Sequence, residues 1–224
     1  PATREEALSS MELSMRWAER SKKSMNLKSS LFFGIVQGGM YLDLREKSIA
    51  ALRELDCDGI AIGGLSVGEP IQMMHEMAEK LSSILPEEKP HYLMGVGTPL
   101  DLLIGINHGI DMFDCVIPTR NARNGVLYTS SGALSIKQSK FTRDESALDE
   151  KCHCSTCQNY SRAYLRHLYL NNEILASRLH TFHNLFYYHQ LIKSAREAIM
   201  KNEWTNFFEA QSVIWKTSLD SSEN

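Results

Sequence analysis

Short apolar runs alternate with charged, helically periodic stretches over the first half of the chain. Leu31-Phe32-Phe33-Gly34-Ile35-Val36-Gln37 is the first run, followed by two glycines and the periodic segment Leu42 to Leu55. Gly59-Ile60-Ala61-Ile62-Gly63-Gly64-Leu65 precedes a second periodic segment, Ile71 to Ile84. His91-Tyr92-Leu93-Met94-Gly95-Val96-Gly97 precedes a third over Pro99–Asn107, and Ile110 to Ile117 is the fourth run. This alternation predicts four βα units and a parallel sheet buried on both faces. Ahead of them, residues 1–24 read as a helix. Met11, Leu13, Met15 and Trp17 mix there with Arg16, Glu19 and Arg20, and no Gly or Pro interrupts after Pro1.

The pattern changes after Pro118, which closes the fourth run. Asn124-Gly125 opens a hairpin-like stretch, with Val126–Thr129, a Ser-Ser-Gly turn and then Ala133–Ile136. Further on, Leu185, Tyr188, Ile192, Ala195 and Ile199 recur at helical spacing and are expected to pack into the core. Residues 218–224 read as a disordered tail. The expected organisation is therefore βα units over 1–123, a hairpin and metal-binding subdomain over 124–185, and C-terminal helices with a tail over 186–224. Four units cannot close an eight-stranded barrel, so they form a small open sheet or half of a barrel. Polar and glycine-rich residues gather where each run ends, at Gln37-Gly38-Gly39, Gly63-Gly64-Leu65, Gly95-Val96-Gly97 and Asp114. Parallel α/β folds place their sites at that edge.

Composition changes the picture in three places. No apolar run reaches the roughly 18 residues of a membrane span, and no signal-peptide pattern opens the chain. The first residue is Pro rather than Met, so a trimmed or partial chain is expected. Five cysteines, with Cys57 and Cys115 read as buried free thiols, suit a reducing, cytoplasmic setting. The net charge of −3 also hides an asymmetry. Residues 1–115 hold 11 Lys/Arg against 17 Asp/Glu, whereas residues 116–202 hold 12 against 6. A basic region following an acidic one points weakly to a polyanionic partner.

Candidate chemistry centres on Cys152-His153-Cys154-Ser155-Thr156-Cys157. Three thiols within six residues, plus one histidine, supply the closed tetrahedral set of a structural zinc. His153 would strain the chelate between two ligands, while His167, His180, His183 and His189 are all available as the fourth. Asp114 lies among Met112, Phe113, Cys115 and Val116, where a carboxylate is costly to bury unless it has a chemical or hydrogen-bonding role. Arg120 and Arg123, on a short loop just beyond, could grip phosphates or base edges, or make surface salt bridges. Gln37 offers a donor and an acceptor suited to a purine edge.

These segments occur together and in order: Phe33-Gly34-Ile35-Val36-Gln37-Gly38-Gly39, Gly63-Gly64-Leu65-Ser66-Val67-Gly68-Glu69, His91 to Gly97, Asp111 to Val116, Pro118-Thr119-Arg120, Arg123-Asn124-Gly125 and the cysteine cluster. The set resembles the bacterial tRNA-guanine transglycosylases, also called queuine tRNA-ribosyltransferases, from residue 1 to about 215. The resemblance implies the second half of a (β/α)₈ TIM barrel with a zinc-bearing subdomain. It implies exchange of the wobble guanine in a tRNA anticodon loop for a 7-deazaguanine, in queuosine biosynthesis. Asp114 would be the nucleophile that forms a covalent ribose intermediate. Gln37, Gly64 and Leu65 would contact the base, Met94 and Gly95 would wall its pocket, and Arg120 and Arg123 would hold the RNA. Cys152, Cys154, Cys157 and His183 would hold one structural zinc. Val67 follows the pattern favouring the small aminomethyl base preQ1 over queuine.

Family members are usually homodimeric and nearly twice as long. Their first half carries an aspartate proposed as general acid/base and another that grips guanine, so this chain alone is expected to be inactive. One alternative is a non-catalytic, zinc-containing tRNA-binding partner subunit, against which Asp114, Gln37 and both arginines argue. Another is an unrelated barrel enzyme of aldolase type, but no strand-end lysine suits a Schiff base.

Overall fold

The computed structural model describes residues 2–25 and 30–220. They pack as two compact units: Pro1–Gly97 with Ile104–Cys115, and Thr98–Leu103 with Val116–Asn224. Among the described residues, no helix is long and apolar enough to cross a membrane.

The first unit opens with α1 (Arg4–Ser24), close to its expected span. A capping box starts it: Thr3 Oγ1 accepts from the Glu6 amide, and Glu6 accepts in return from the Thr3 amide. Then come β1 (Phe33–Val36), α2 (Leu42–Glu54), β2 (Gly59–Ile62), α3 (Ile71–Ser82), β3 (His91–Leu93), α4 (Pro99–Asn107) and β4 (Met112–Phe113). The four strands are parallel and lie in sequential order, with Val36 beside Ile62, Ile62 beside Leu93 and Leu93 beside Phe113. That order differs from a doubly wound sheet, in which strand order reverses at the binding crevice.

Two expectations need correction. One face of the sheet is covered and the other only in part, Ala61 of that other face being buried. Val36, Ile60, Ile62 and Leu93 join Ile49, Leu52, Met74, Met77 and Leu81 of the helices in one apolar core. The opposite row, in register across the sheet, is Ile35, Ala61, Tyr92 and Met112. It takes no part in that core, and Ile35 and Met112 are 37% and 46% exposed. The fourth strand also has only two residues where a run of eight, six of them apolar, suggested a longer one. Among the described residues it pairs with β3 alone. The chain beyond it turns directly into a helix.

The second unit begins that helix, α5 (Ile117–Arg123), with Pro118 in its first turn. Proline suits this position because its missing N–H has no intrahelical partner to lose. Arg120 and Arg123 therefore lie on a helix and not on a loop. The expected hairpin forms as β5 (Val126–Thr129) and β6 (Gly132–Ser135), with Thr129 opposite Gly132. Short helices α6 (Ser155–Asn159) and α7 (Arg162–Leu170) lead to the long α8 (Ile174–Met200) and to α9 (Trp204–Asp220).

The buried stripe of α8 runs through Tyr188, Leu191, Ala195 and Ala198, whereas Leu185 and Ile199 of the expected face are exposed. The burying face is rotated because Leu191 and Ala198 take the inner positions. The helix through Asp220 replaces the first part of the expected tail; residues 221–224 lie outside the described residues.

Close packing of α2 on β1 yields a direct test. A Cβ on Gly34 would sit 2.6 Å from Leu52 Cδ2 and 2.8 Å from Cys57 Sγ. Gly34→Ala is expected to destabilise the protein by about 1–3 kcal/mol through overpacking, read as a lower urea midpoint.

Candidate functional site

The side chains of a strand alternate between faces, so the open row continues at every second residue past each strand's end. Two positions beyond Ile35, Ala61, Tyr92 and Met112 stand Gln37, Gly63, Met94 and Asp114, all at the carboxyl edge of the same sheet. The geometry bears out this placement at two points. Gln37 lies over the second strand's end, since a Cβ on Gly63 would meet its Nε2 at 2.9 Å and one on Gly64 its Oε1 at 2.9 Å. A side chain at either position would have to displace that amide, and Gly64 also has φ +66°, where a side chain is strained. At the other end, Asp114 Oδ1 accepts from Tyr92 Oη at 2.7 Å and from the Gly95 amide at 2.9 Å.

Asp114 was expected to be buried, and it is exposed. The neighbours expected to enclose it do not: Val116 is 63% exposed, and Met112 lies on the open row. Its carboxyl is held below the ordinary carboxylate range, first by the Gly95 amide and then by the Tyr92 hydroxyl, against a small opposing effect of burial. The Tyr92 hydroxyl is pushed up by the same bond. Both hydrogen bonds fall on Oδ1, so among the described residues Oδ2 has no partner. The result is an anchored carboxylate with one open oxygen. Asp111 behaves differently, its Oδ2 taking the His91 amide at 2.7 Å in a turn. Tyr92 escaped sequence reasoning as a partner of Asp114, although its place on the open row was readable from strand parity.

Behind the glycine loops lies Arg45 of α2, fully buried. Its Nε donates to the Gly39 carbonyl at 2.7 Å, and its Nη2 to the carbonyls of Gly63 at 3.0 Å and Gly64 at 3.3 Å. Among the described residues its Nη1 has no partner. Burial lowers this guanidinium to about 10, opposed by the charge of Glu69. Glu69 itself accepts the amides of Ser66 and Val67. Of the remaining expected base contacts, Leu65 is buried, Met94 half-buried and Gly95 exposed.

The second unit holds the cysteine cluster. Cys152, Cys154, Cys157 and His183 bring their ligand atoms within 4.8 Å of one another, and this selects His183 from the candidate histidines. His183 Nδ1 lies 3.8, 3.5 and 3.3 Å from the sulfurs of Cys152, Cys154 and Cys157. A tetrahedral ion about 2.3 Å from sulfur and about 2.0 Å from nitrogen would set nitrogen and sulfur about 3.5 Å apart, so the residues fit a metal. His183 Nε2 is bonded to the Tyr128 carbonyl at 2.7 Å, which leaves Nδ1 aimed at the thiols.

The sulfurs are tightly coupled. Hydrogen bonds with Cys152 and Cys157 drive Cys154 far below an ordinary thiol, while those with Cys152 and Cys154, and burial, push Cys157 far above it. For His183, burial opposes the charged ring. Bonds to Cys152 and Cys154 and to the Tyr128 carbonyl outweigh it and hold the ring up to about 9.

Next to it, the fully buried Asn184 reaches two elements, α5 and β5. Its Nδ2 donates to the carbonyls of Pro118 at 3.0 Å and Val126 at 3.1 Å, and its Oδ1 accepts the Tyr128 amide at 3.1 Å. Adjacent residues of α8 thus tie the metal cluster to β5 and to the start of α5, which carries the exposed Arg120 and Arg123. Nothing in the amino-acid pattern distinguished Asn184 from a surface amide. Cys57 is buried as expected, whereas Cys115 is only half-buried and its Sγ donates to the Gly97 carbonyl.

Two outcomes are expected of this cluster. The His183 ring, held up to about 9, and the Cys157 thiol, held far above its ordinary range, must each lose a proton to bind a metal, so affinity is expected to rise with pH. Competition with a chromophoric chelator at several pH values measures this, and a flat profile would contradict the assignment. Replacing Asn184 with Leu leaves two carbonyls and an amide buried without partners, and is expected to cost about 2–5 kcal/mol in thermal or urea unfolding.

A family profile described as queuine tRNA-ribosyltransferase matches residues 1–216. A protein of Neisseria meningitidis serogroup A named queuine tRNA-ribosyltransferase is 55% identical over 208 residues, covering 92% of this chain and 56% of the relative. A Francisella tularensis subsp. tularensis protein of the same name is 53% identical over 207 residues, with the same coverage. This chain therefore spans about half the length of the curated relatives it matches, at 56% of their residues. On its motifs, its sheet edge and these likenesses together, the chain belongs to the queuine tRNA-ribosyltransferase family.

Proposed function

We propose that this chain supplies the nucleophile and base-binding edge of a tRNA-guanine transglycosylase, which exchanges the wobble guanine of a tRNA anticodon loop for a 7-deazaguanine. One observation carries the reading. Gln37, Gly64, Leu65, Gly95 and Asp114 share one end of one parallel sheet, and Asp114 is anchored through Oδ1 with Oδ2 open. The sequential strands with helices on one face suit the wall of a (β/α)₈ barrel, as its second half. In that reading residues 1–123 carry the βα units, 124–185 the zinc subdomain and 186–224 the closing helices.

The chemistry is that of a retaining glycosidase with a nucleobase in place of water. Asp114 Oδ2 attacks the ribose C1′. The bond from C1′ to guanine N9 breaks, its electron pair leaves with the base, and a general acid protonates the base. That acid belongs to the part of the relatives' length that this chain does not cover. The incoming deazaguanine attacks C1′ through its ring nitrogen, loses its proton and displaces the carboxylate. Two inversions return the original configuration. Gln37 reads the purine edge, Gly64 and Leu65 offer backbone amides, and Met94 and Gly95 border the base. Arg120 and Arg123 hold phosphates or splayed bases of the loop. Val67 beside the glycines suits preQ1 as the incoming base.

The metal of the cysteine cluster is zinc in this reading. Three thiolates and an imidazole close its coordination, so it is structural and steadies α5 through His183 and Asn184. The enzyme works as a cytoplasmic homodimer in queuosine biosynthesis.

In an enzyme of the relatives' full length carrying this sequence, Asp114→Ala is expected to abolish both guanine exchange and a denaturation-resistant RNA adduct. An adduct surviving that change would overturn the role. Tyr92→Phe removes one bond to the carboxylate and is expected to move the acid limb of the rate profile upward. The 224-residue chain alone is expected to incorporate no labelled guanine into tRNA.

A further inference from the structure

Arg45 lies outside every motif that carries the family likeness, yet it joins the two glycine loops of the site. It is fully buried, and its guanidinium draws the carbonyls of Gly39, Gly63 and Gly64 toward α2. The peptide bonds after Gly63 and Gly64 are trans, the only cis peptide among the described residues being Val96-Gly97. In a trans peptide the N–H points opposite to the C=O. The amides of Gly64 and Leu65 are therefore turned away from the guanidinium, and neither has a hydrogen-bond partner among the described residues. Two neighbouring unpartnered donors above a buried cation form a receptor for an acceptor atom.

We propose that Arg45 is a positioning residue for the base pocket: by fixing the Gly63 and Gly64 carbonyls on one side, it presents the Gly64 and Leu65 amides as paired donors to the carbonyl-bearing edge of the bound purine. The inference rests on the transglycosylase reading and adds to it the element that orients its backbone contacts. Lysine cannot replace this function, because a single ammonium cannot span carbonyls on two loops as a planar fork does.

The test uses an enzyme of the relatives' full length carrying this sequence, with Arg45→Met and Arg45→Lys compared against the unaltered protein. Circular dichroism first establishes folding. Each folded variant is expected to raise KM for guanine by about tenfold while leaving KM for tRNA within about twofold, as expected when two hydrogen bonds to one ligand are weakened. The second readout is competition by 2-aminopurine, which lacks the carbonyl oxygen. The unaltered enzyme is expected to prefer guanine strongly, and both variants to lose most of that preference.

An unchanged guanine KM, an equal rise in both KM values, or an undiminished preference overturns the positioning role. So does failure of both variants to fold, which would make Arg45 a residue of the core alone. Absence of guanine exchange in the unaltered enzyme strikes the transglycosylase reading instead, so the two failures are distinguishable.

Discussion

A peptide group taken out of water must find a partner inside the protein, and this constraint organises both units. Each meets it with one buried polar side chain on a helix. In the first unit Arg45 takes up carbonyls from the loops after β1 and β2. In the second, Asn184 satisfies two carbonyls and an amide from the start of α5 and from β5. The loops after β1 and β2 have no regular secondary structure to absorb those groups, and the β5 groups that Asn184 takes up belong to residues outside the hairpin's own hydrogen-bonded pairs. Irregular backbone at a sheet edge is useful for recognition because its amides are free to face a ligand. It holds its shape only when something behind it occupies the carbonyls.

The same logic connects the metal cluster to the rest of its unit. In the proposed reading, a zinc on this Cys₃His set would have no position left for substrate, so its contribution would be geometric. His183 is fixed at both ring nitrogens, by the sulfurs on one side and the Tyr128 carbonyl on the other. Asn184 comes directly after it on α8. The apolar cluster of Leu127, Ile136, Phe141, Leu148 and Leu165 packs around the cysteines. A short, loop-rich segment with few regular elements thereby gains a rigid centre, and α5 inherits its placement from that centre.

Much of this was legible in the amino-acid order, for identifiable reasons. Strand–helix alternation showed through because glycines and polar residues punctuate each unit. The cysteine spacing showed through because few other patterns demand it. What failed to show depended on long-range packing. The apolar run from Ile110 to Ile117 gave no sign that pairing ends at Phe113, because hydrophobicity does not reveal where a strand stops. Pro118 was read as a terminator when it stands in the first turn of a helix, and both roles suit proline. The exposure of Asp114 reflects an open sheet face, which local sequence cannot report. Arg45 and Asn184 look like ordinary surface residues of polar helices until burial is known. His183, which spacing alone left among several histidines and the family likeness singled out, stands with the three cysteines.

The paired glycines at the end of β2 carry a consequence for how substrate choice can change in this family. Gly63 and Gly64 have no side chains to exchange, and the Gln37 amide fills the space where one would grow. In the proposed transglycosylase reading, a side chain at either glycine would displace Gln37 before it met a base. Choice among related bases would in that reading act through the flanking side chains Leu65, Val67 and Met94.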